Sequence, residues 1–153
     1  MKRVLISGHF DPYPHYGHRI HMQMAKRLGD WLIVVVSSDE DAIRKKGFCV
    51  TPQWERMDLI KDLNYVDEVI AVIPSNGLTD KSILKMKPDI FAKGGDRTIN
   101  NIPQAEIDAC KQVGCQLVTG VGHQLESSRD ILRRIIKARK QLKIWEGESA
   151  KPD

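Results

Sequence analysis

Short apolar runs rich in β-branched residues alternate with helix-forming segments along almost the whole chain. Residues 4–6 and 32–36 are continuous apolar runs, a pattern typical of parallel strands that are covered on both faces. Further strands are predicted over residues 69–73, 89–92 and 116–118. This alternation predicts an α/β fold: a single Rossmann-like domain with a five-stranded, parallel, doubly wound sheet and helices on both of its faces.

Capping and helix-breaking residues set the expected helix boundaries. A helix over residues 16–28 is expected to end at Gly29, and a second helix is expected over residues 39–46. Thr51 and Pro52 predict the N-cap and the first residue of a third helix. The remaining helices are expected from Thr79 to residue 86, from Pro103 to Gly114, and after Ser127. Ligands of such a sheet bind at the carboxyl ends of its strands.

The composition is that of one globular domain. The chain has 153 residues, of which 41% are hydrophobic and 29% are charged. We expect one domain over residues 1–144 and a polar C-terminal tail over residues 145–153. No stretch approaches the roughly 20 apolar residues of a membrane span, and the first apolar run is too short for a secretory signal. The sequence therefore predicts that the protein is cytoplasmic and has no membrane partner.

Charge and cysteine content exclude few functions. Much of the formal charge of +4 comes from a basic run near the C-terminus, which is more typical of a solvated helix face than of a nucleic-acid site. Cys49, Cys110 and Cys115 are odd in number and lack metal-ligand spacing. They lie in segments predicted as a loop, a helix and a strand, and are expected to be inert thiols.

The segment after the first strand carries the strongest chemical signal. His15 and His18 are three positions apart, which would place both rings on one side of a first helical turn. Gly17 would let the backbone approach a triphosphate closely, and free N–H groups at a helix start favour phosphate. Two imidazoles could then donate hydrogen bonds to an α-phosphate in its transition state. The pair could instead be structural, and zinc would need ligands that the sequence does not place.

Several motifs together resemble a known family. A Gly-X-Phe-Asp motif at residues 8–11 precedes a His-X-Gly-His motif at residues 15–18. The likeness extends from Arg3 to Ile136 and includes Lys46 and the segment at 93–96. In these features the chain is similar to the cytidylyltransferase-like nucleotidyltransferase superfamily, and in particular to glycerol-3-phosphate cytidylyltransferases and heptose-1-phosphate adenylyltransferases.

The resemblance implies an enzyme that transfers CMP or AMP from CTP or ATP to a small phosphorylated acceptor and releases pyrophosphate. The acceptor would be a sugar, polyol or head-group phosphate. Mg²⁺ is implied as the cofactor, bound through the triphosphate rather than by direct protein ligands. The resemblance also implies a homodimer and no nucleic-acid partner.

The resemblance assigns the residues of the site as well. It gives catalytic roles to His15, His18 and Lys46, and a catalytic role is also expected for Arg129, although the relatives have Thr at that position. The residues expected to bind the nucleotide are Gly8, His9, Phe10, Asp11, Gly17, Gly94, Asp96, Ser127 and Ser128. The residues expected to bind the acceptor are Tyr13, Lys46 and Arg56, and Arg56 would also orient the loops of the site. His21 and His123 are not expected to be ligands.

Most of these assignments have a structural alternative. Lys46 could be a solvated residue of a basic run, and the segment at 94–96 could be a plain turn. Ser127 could simply cap a helix. His9 and Tyr13 could do no more than cover the first loop.

Some positions depart from the relatives. Arg129 stands where they have Thr, and its guanidinium could either grip phosphate or point away. Residues 119–126 lack the Arg-Thr-Glu-Gly run of glycerol-3-phosphate cytidylyltransferases, and residues 94–97 replace their Gly-Asp-Asp-Trp. The acceptor and the choice of CTP or ATP therefore stay open. Two other functions also stay open: a nucleotide-binding regulator without chemistry, and an RNA-linked binding protein.

Overall fold

A computed structural model describes residues 1–95, 97–123 and 127–139. The strands are β1 (Arg3–Gly8), β2 (Trp31–Val36), β3 (Glu68–Ala71), β4 (Ile90–Gly94) and β5 (Gln116–Val121). The helices are α1 (Tyr16–Lys26), α2 (Asp39–Lys46), α3 (Gln53–Lys61), α4 (Asp80–Met86), α5 (Gln104–Val113) and α6 (Ser128–Arg139). A short 3₁₀ helix spans Ile99–Asn101. This order confirms the predicted α/β class.

The five strands form one parallel sheet in the order β3-β2-β1-β4-β5. At the centre, Val4 of β1 pairs with Leu32 of β2 on one side and with Ile90 of β4 on the other. The chain runs outward from β1 to β3 and then returns to lay β4 beside β1, so the strand order reverses between β1 and β4. Such a reversal opens a crevice at the carboxyl ends of the two strands.

Side-chain alternation along β1 divides the core into two layers. Ile6 packs with Met22 of α1 on one face of the sheet, and Leu5 packs with Ile83 of α4 on the other. All four side chains are completely buried. Because alternate residues of a strand point to opposite faces, Ser7 at the end of β1 lies on the same face as Leu5.

Two helix boundaries differ from the sequence expectation. Helix α1 ends at Lys26 with Arg27 as its C-cap, two residues before the expected last residue 28. Gly29 is required for another reason: a Cβ there would lie 2.6 Å from the carbonyl oxygen of Lys2. The glycine therefore permits close approach to the start of the sheet.

The prolines before α3 and α5 are N-caps instead of first helical residues. Pro52 is the N-cap of α3, so Thr51 lies outside the helix that it was expected to cap. The Thr51 hydroxyl donates a hydrogen bond to the carbonyl of Pro12, which ties the start of α3 to the loop after β1. Pro103 is likewise the N-cap of α5.

The remaining expectations concern smaller features. Strand β3 covers residues 68–71 instead of 69–73, and Cys115 precedes β5 instead of lying in it. Within the described ranges, no helix is long and apolar enough to cross a membrane. The predicted tail at residues 145–153 lies outside the described residues.

Candidate active site

A cavity of about 510 Å³ opens where the strand order reverses, and Gly8 at the end of β1 and Gly94 at the end of β4 both line it. Helix α1 begins on one side of this cavity, and α5 follows β4 on the other side. The cavity is therefore where the topology predicts a ligand. Its lining includes residues from both faces of the sheet.

On the α1 side, three histidines form what we call the histidine wall: His15, His18 and His21. His15 is the N-cap of α1, and its Nδ1 accepts a hydrogen bond from the N–H of Gly17 at 3.1 Å. The Nδ1 of His18 accepts from the N–H of His15 at 3.3 Å. The two rings are stacked, with their centroids 3.7 Å apart. The histidines thus form a reciprocal capping box.

This capping box decides which ring nitrogens carry hydrogen. A neutral imidazole has one donor and one acceptor nitrogen. Because the Nδ1 atoms of His15 and His18 both accept backbone hydrogen bonds, the ring hydrogens lie on both Nε2 atoms. Both residues line the cavity, and their ring donors are therefore the two Nε2–H groups.

Burial keeps His18 and His9 uncharged. Burial lowers the pKa of His18 to about 3, and the nearby His15, His21 and Lys46 lower it further. Burial also lowers the pKa of His9 to about 4, with Lys45 as the next cause. At neutral pH both imidazoles are neutral, so they supply hydrogen bonds and not charge.

Phe10 packs against His18, one residue of the histidine wall. Its side chain is buried, and its ring meets that of His18 edge-on with the centroids 4.9 Å apart. A Cβ at Gly8 would lie 2.8 Å from the Cζ of Phe10, so the glycine makes room for the ring. Two residues expected to bind nucleotide thus also hold His18 in place.

His21 has a position that the sequence did not predict. The Nδ1 of His21 donates to the carbonyl oxygen of Val121 at 2.7 Å, which links α1 to the end of β5. A Cβ on Gly94 would lie 2.8 Å from that nitrogen, and one on Gly122 would lie 3.1 Å from the Cα of His21. The two glycines therefore fit closely around His21. Its one sequence signal is the spacing of three positions from His18.

Asp11 fixes Lys46 beside the cavity. The Asp11 side chain is completely buried, and its Oδ2 lies 2.9 Å from the Nζ of Lys46. Its Oδ1 accepts from the N–H groups of Val50 and Thr51 at 3.0 and 2.8 Å. Burial by itself would raise the pKa of Asp11, but the bonds from Lys46 and these N–H groups hold it below its usual value. Neither Asp11 nor Lys46 is among the described residues that line the cavity.

Lys45, which the sequence did not single out, lines the cavity. Among the described residues no carboxylate forms an ion pair with it. Burial lowers its pKa, and so do the neighbouring charges of Arg97, Lys93 and Arg129. Positive charges therefore converge on this part of the cavity, as an anionic ligand requires.

Arg56 is completely buried and joins three loops. It donates to the carbonyl oxygens of His9, Ser37 and Thr51, the last two at 3.0 and 2.8 Å. Its guanidinium also lies 2.5 Å from Asp39. Arg56 is not among the residues that line the cavity, so it is placed to orient the loops rather than to touch a ligand.

Of the other predicted site residues, some line the cavity and others do not. Ser127 and Ser128 line the cavity, while Arg129 is exposed and does not. The Oγ of Ser127 accepts from the N–H of Asp130 at 3.2 Å, so it also caps α6. Tyr13 is 45% exposed and lies outside the lining. Asp96 lies outside the described residues.

Facing the histidine wall from the other face of the sheet are four residues that we call the polar wall: Ser7, Thr79, Lys93 and Glu106. The hydroxyls of Thr79 and Ser7 lie 3.0 Å apart, and the N–H of Thr79 donates to Oε1 of Glu106 at 3.0 Å. The Nζ of Lys93 lies 2.9 Å from Oε2 of Glu106. These residues come from β1, β4 and the starts of α4 and α5, and no sequence motif joins them.

Comparison with known proteins places the chain in a family. The family model described as cytidylyltransferase-like matches residues 5–116. A FAD synthase of Pyrococcus abyssi is 38% identical over 96 residues, which cover 62% of this chain and 64% of that protein. An ethanolamine-phosphate cytidylyltransferase of Arabidopsis thaliana is 49% identical over 72 residues, which cover 47% of this chain and 17% of that protein. The chain thus matches 64% or less of the length of these two relatives.

A solved structure shows the same architecture. It is described as a lipopolysaccharide core biosynthesis protein from Thermoplasma volcanium, and it superposes with a TM-score of 0.67 at 29% identity. The match covers 82% of this chain and 99% of that chain. The predicted superfamily and the Rossmann-like fold are both confirmed.

Proposed function

The chain belongs to the cytidylyltransferase-like family, and from its site we propose that it transfers a nucleoside monophosphate from a nucleoside triphosphate to a small phosphorylated acceptor, releasing pyrophosphate. The observation that carries this proposal is the Nε2–H tautomer of His18, which lines the same cavity as His15, Lys45 and the start of α6. The names of the two relatives, a FAD synthase and a cytidylyltransferase, support the reaction class.

The proposed chemistry needs no general base. An acceptor phosphate is already mostly ionised at neutral pH, because its second pKa is about 6. One of its oxygens attacks the α-phosphorus, and the bond to the pyrophosphate oxygen breaks. Negative charge spreads over the α-phosphate oxygens in the transition state, and the two Nε2–H groups are placed to stabilise it.

Other lining groups fit the remaining phosphates. Ser127 and Ser128 line the cavity at the start of α6, where the first N–H groups of a helix suit the β- and γ-phosphates. The N–H and the hydroxyl of Ser127 donate to Asp130, so a phosphate would replace that carboxylate as their partner. Gly94 at the end of β4 would border the nucleoside, and Lys45 adds a cation without a carboxylate partner among the described residues. The arrangement supports positioning and electrostatic stabilisation as the main sources of catalysis.

Mg²⁺ enters this proposal with the triphosphate. Among the described residues no group of three or more His, Cys, Asp or Glu side chains could hold a metal ion. Glu106 is the one carboxylate among the described lining residues, and it is already paired with Lys93. The described side chains therefore do not offer a Mg²⁺ site of their own.

A pyrophosphate-release assay tests the proposed function. Purified protein is incubated with MgCl₂ and each of ATP, CTP, GTP and UTP, crossed with polyol phosphates, sugar phosphates, phosphoethanolamine and FMN. We expect pyrophosphate release that requires both a triphosphate and an acceptor. Absence of release from every pair would contradict the proposal.

Substitution of His18 tests the residue that carries the proposal. His18→Ala removes one preorganised donor, which typically lowers turnover by about 10²–10³. Met24→Ala is the matched control, because Met24 is an exposed residue of the same helix and lies outside the cavity. Turnover of His18→Ala within twofold of the control, with the protein still folded by circular dichroism, would sink the assignment.

A further inference from the structure

We propose that the polar wall is the acceptor-binding surface and that it selects a compact acceptor bearing hydroxyl groups, a polyol phosphate or sugar phosphate. This inference rests on the proposed function. The segments assigned there to the nucleotide are Gly94 and the start of α6. Most of the polar wall lies at the end of β1 and the starts of α4 and α5, while its Lys93 directly precedes Gly94 in β4.

The buried carboxylate of Glu106 is the central group of this wall. The Glu106 side chain is 4% exposed, yet the residue lines the cavity. Its Oε1 accepts from the N–H of Thr79 at 3.0 Å, and its Oε2 forms an ion pair with the Nζ of Lys93 at 2.9 Å. An ionised carboxylate oxygen has two lone pairs, so Oε2 can accept a hydrogen bond from a ligand as well as hold Lys93. The geometry therefore places one acceptor of hydrogen bonds against the ligand.

The hydroxyl groups of Ser7 and Thr79 lie beside Glu106 and add a hydrogen-bond donor to its carboxylate acceptor. The hydroxyl of Thr79 donates to the Oγ of Ser7 at 3.0 Å, which leaves the O–H of Ser7 for another acceptor. A carboxylate oxygen and a hydroxyl hydrogen together match the mixed donor and acceptor character of an alcohol group. Adjacent alcohol groups of a polyol chain or sugar ring would use both.

The charge of Lys93 argues against a cationic head group as the acceptor. Its Nζ lies 2.9 Å from Oε2 of Glu106, so the carboxylate is already neutralised by a partly buried ammonium. An ethanolamine or choline head group would have to bring a second positive charge next to Lys93. Like charges held this close in a desolvated site repel strongly.

The size of the cavity argues against a flavin. Its volume of about 510 Å³ must hold a triphosphate and an acceptor together. Pockets of about 300–1,000 Å³ typically hold one drug-sized ligand.

The test compares Glu106→Gln with Asp108→Asn, an identical change of charge at an exposed position of the same helix. The glutamine keeps the shape and can still accept from Thr79, but it places an NH₂ donor where Oε2 had been. With glycerol 3-phosphate and ribose 5-phosphate as probes, we expect the acceptor KM to rise about 10- to 100-fold, the effect of one hydrogen bond to a charged group. The KM for the triphosphate should change less than twofold.

Binding is measured separately from turnover. Calorimetry of the same probes with protein and a non-hydrolysable triphosphate should show binding that Asp108→Asn retains and Glu106→Gln weakens. If Glu106→Gln does not fold, Ser7→Ala takes its place, because it removes one hydroxyl from the end of β1. Binding that is equal in the wall variants and the control would overturn the inference.

The acceptor panel separates this inference from the proposed function. Preference of the wild-type protein for FMN or phosphoethanolamine would overturn the inference and leave the transferase intact. Pyrophosphate release from no acceptor at all, with probe binding still dependent on Glu106, would contradict the proposed reaction and leave the binding surface supported.

Discussion

Lys45 and Lys46 are neighbours in the chain but lie in different environments. Successive residues of a helix do not share a face, so the end of α2 directs the two ammonium groups apart. Lys46 is held by the buried carboxylate of Asp11 at 2.9 Å, whereas Lys45 lines the cavity. Lys45 is therefore placed to contact substrate phosphate, and Lys46 is placed to hold the loop after β1.

Alanine substitution should separate these two roles. Lys45→Ala should raise the KM for a substrate about 10- to 100-fold with little effect on stability, because it removes one charge from the ligand site. Lys46→Ala should lower the free energy of unfolding by about 1–3 kcal/mol, because Asp11 loses a partner while buried. Urea unfolding and steady-state kinetics measure both effects.

Arg44→Ala is the control for loss of a cation, since Arg44 is exposed on the same helix. If Lys45→Ala and Lys46→Ala change the KM and the free energy of unfolding to the same extent, the two lysines do not have separate roles.

The junction of α1 with the sheet depends on one tight contact. His21 on α1 bonds to the end of β5 and packs on Gly94 at the end of β4. The same helix begins with the capping box of His15 and His18. Any shift of α1 away from β4 would therefore move the His15 and His18 rings relative to Gly94 at the end of β4.

Gly94→Ala tests this contact between elements. The added Cβ would lie 2.8 Å from the Nδ1 of His21 and should destabilise the fold by about 1–3 kcal/mol, as overpacking typically does. In a His21→Ala background the obstructing ring is gone, so the same substitution should have little effect. A double-mutant cycle by urea unfolding measures this coupling. An equal effect of Gly94→Ala in both backgrounds would show that the contact is not the constraint.

At the scale of the whole molecule, buried neutral histidines link stability to pH. The pKa of His18 is about 3 and that of His9 is about 4 in the fold, against an ordinary value of 6.5. The unfolded chain therefore binds more protons than the folded chain between these values. The stability from these groups is fully present above about pH 6.5 and is lost as the pH falls toward 4 and then 3.

The free energy of unfolding should accordingly decrease on acidification below pH 6.5, by up to about 1.4 kcal/mol per pH unit for each such histidine. His18→Gln should make this decrease shallower, and Met24→Gln on the same helix should leave it as in the wild-type protein. Urea unfolding at pH 4.5, 5.5, 6.5 and 7.5 provides the slopes. Identical slopes in the wild-type protein and His18→Gln would contradict the lowered pKa.

Alternation of apolar runs with helical segments was sufficient to predict the fold class, because strands covered on both faces leave a clear apolar pattern. The helix ends were less predictable. Gly29 resembles a C-cap residue, but glycine is required there because a Cβ would collide with the carbonyl oxygen of Lys2. The motifs at residues 8–11 and 15–18 predicted that His15 and His18 lie together at the start of α1. This was possible because the turn from β1 to α1 is one continuous stretch of sequence.

The sequence by itself determined the alternating elements, the family and the position of His15 and His18, since each depends on residues close together in the chain. Only the tertiary structure decided that Lys45 and not Lys46 lines the cavity, and that Ser7, Thr79, Lys93 and Glu106 form one surface. Those four residues are brought together by the crossing of the chain from β3 back to β4 beside β1. Contacts made by such a crossing leave no periodic or local pattern in the sequence.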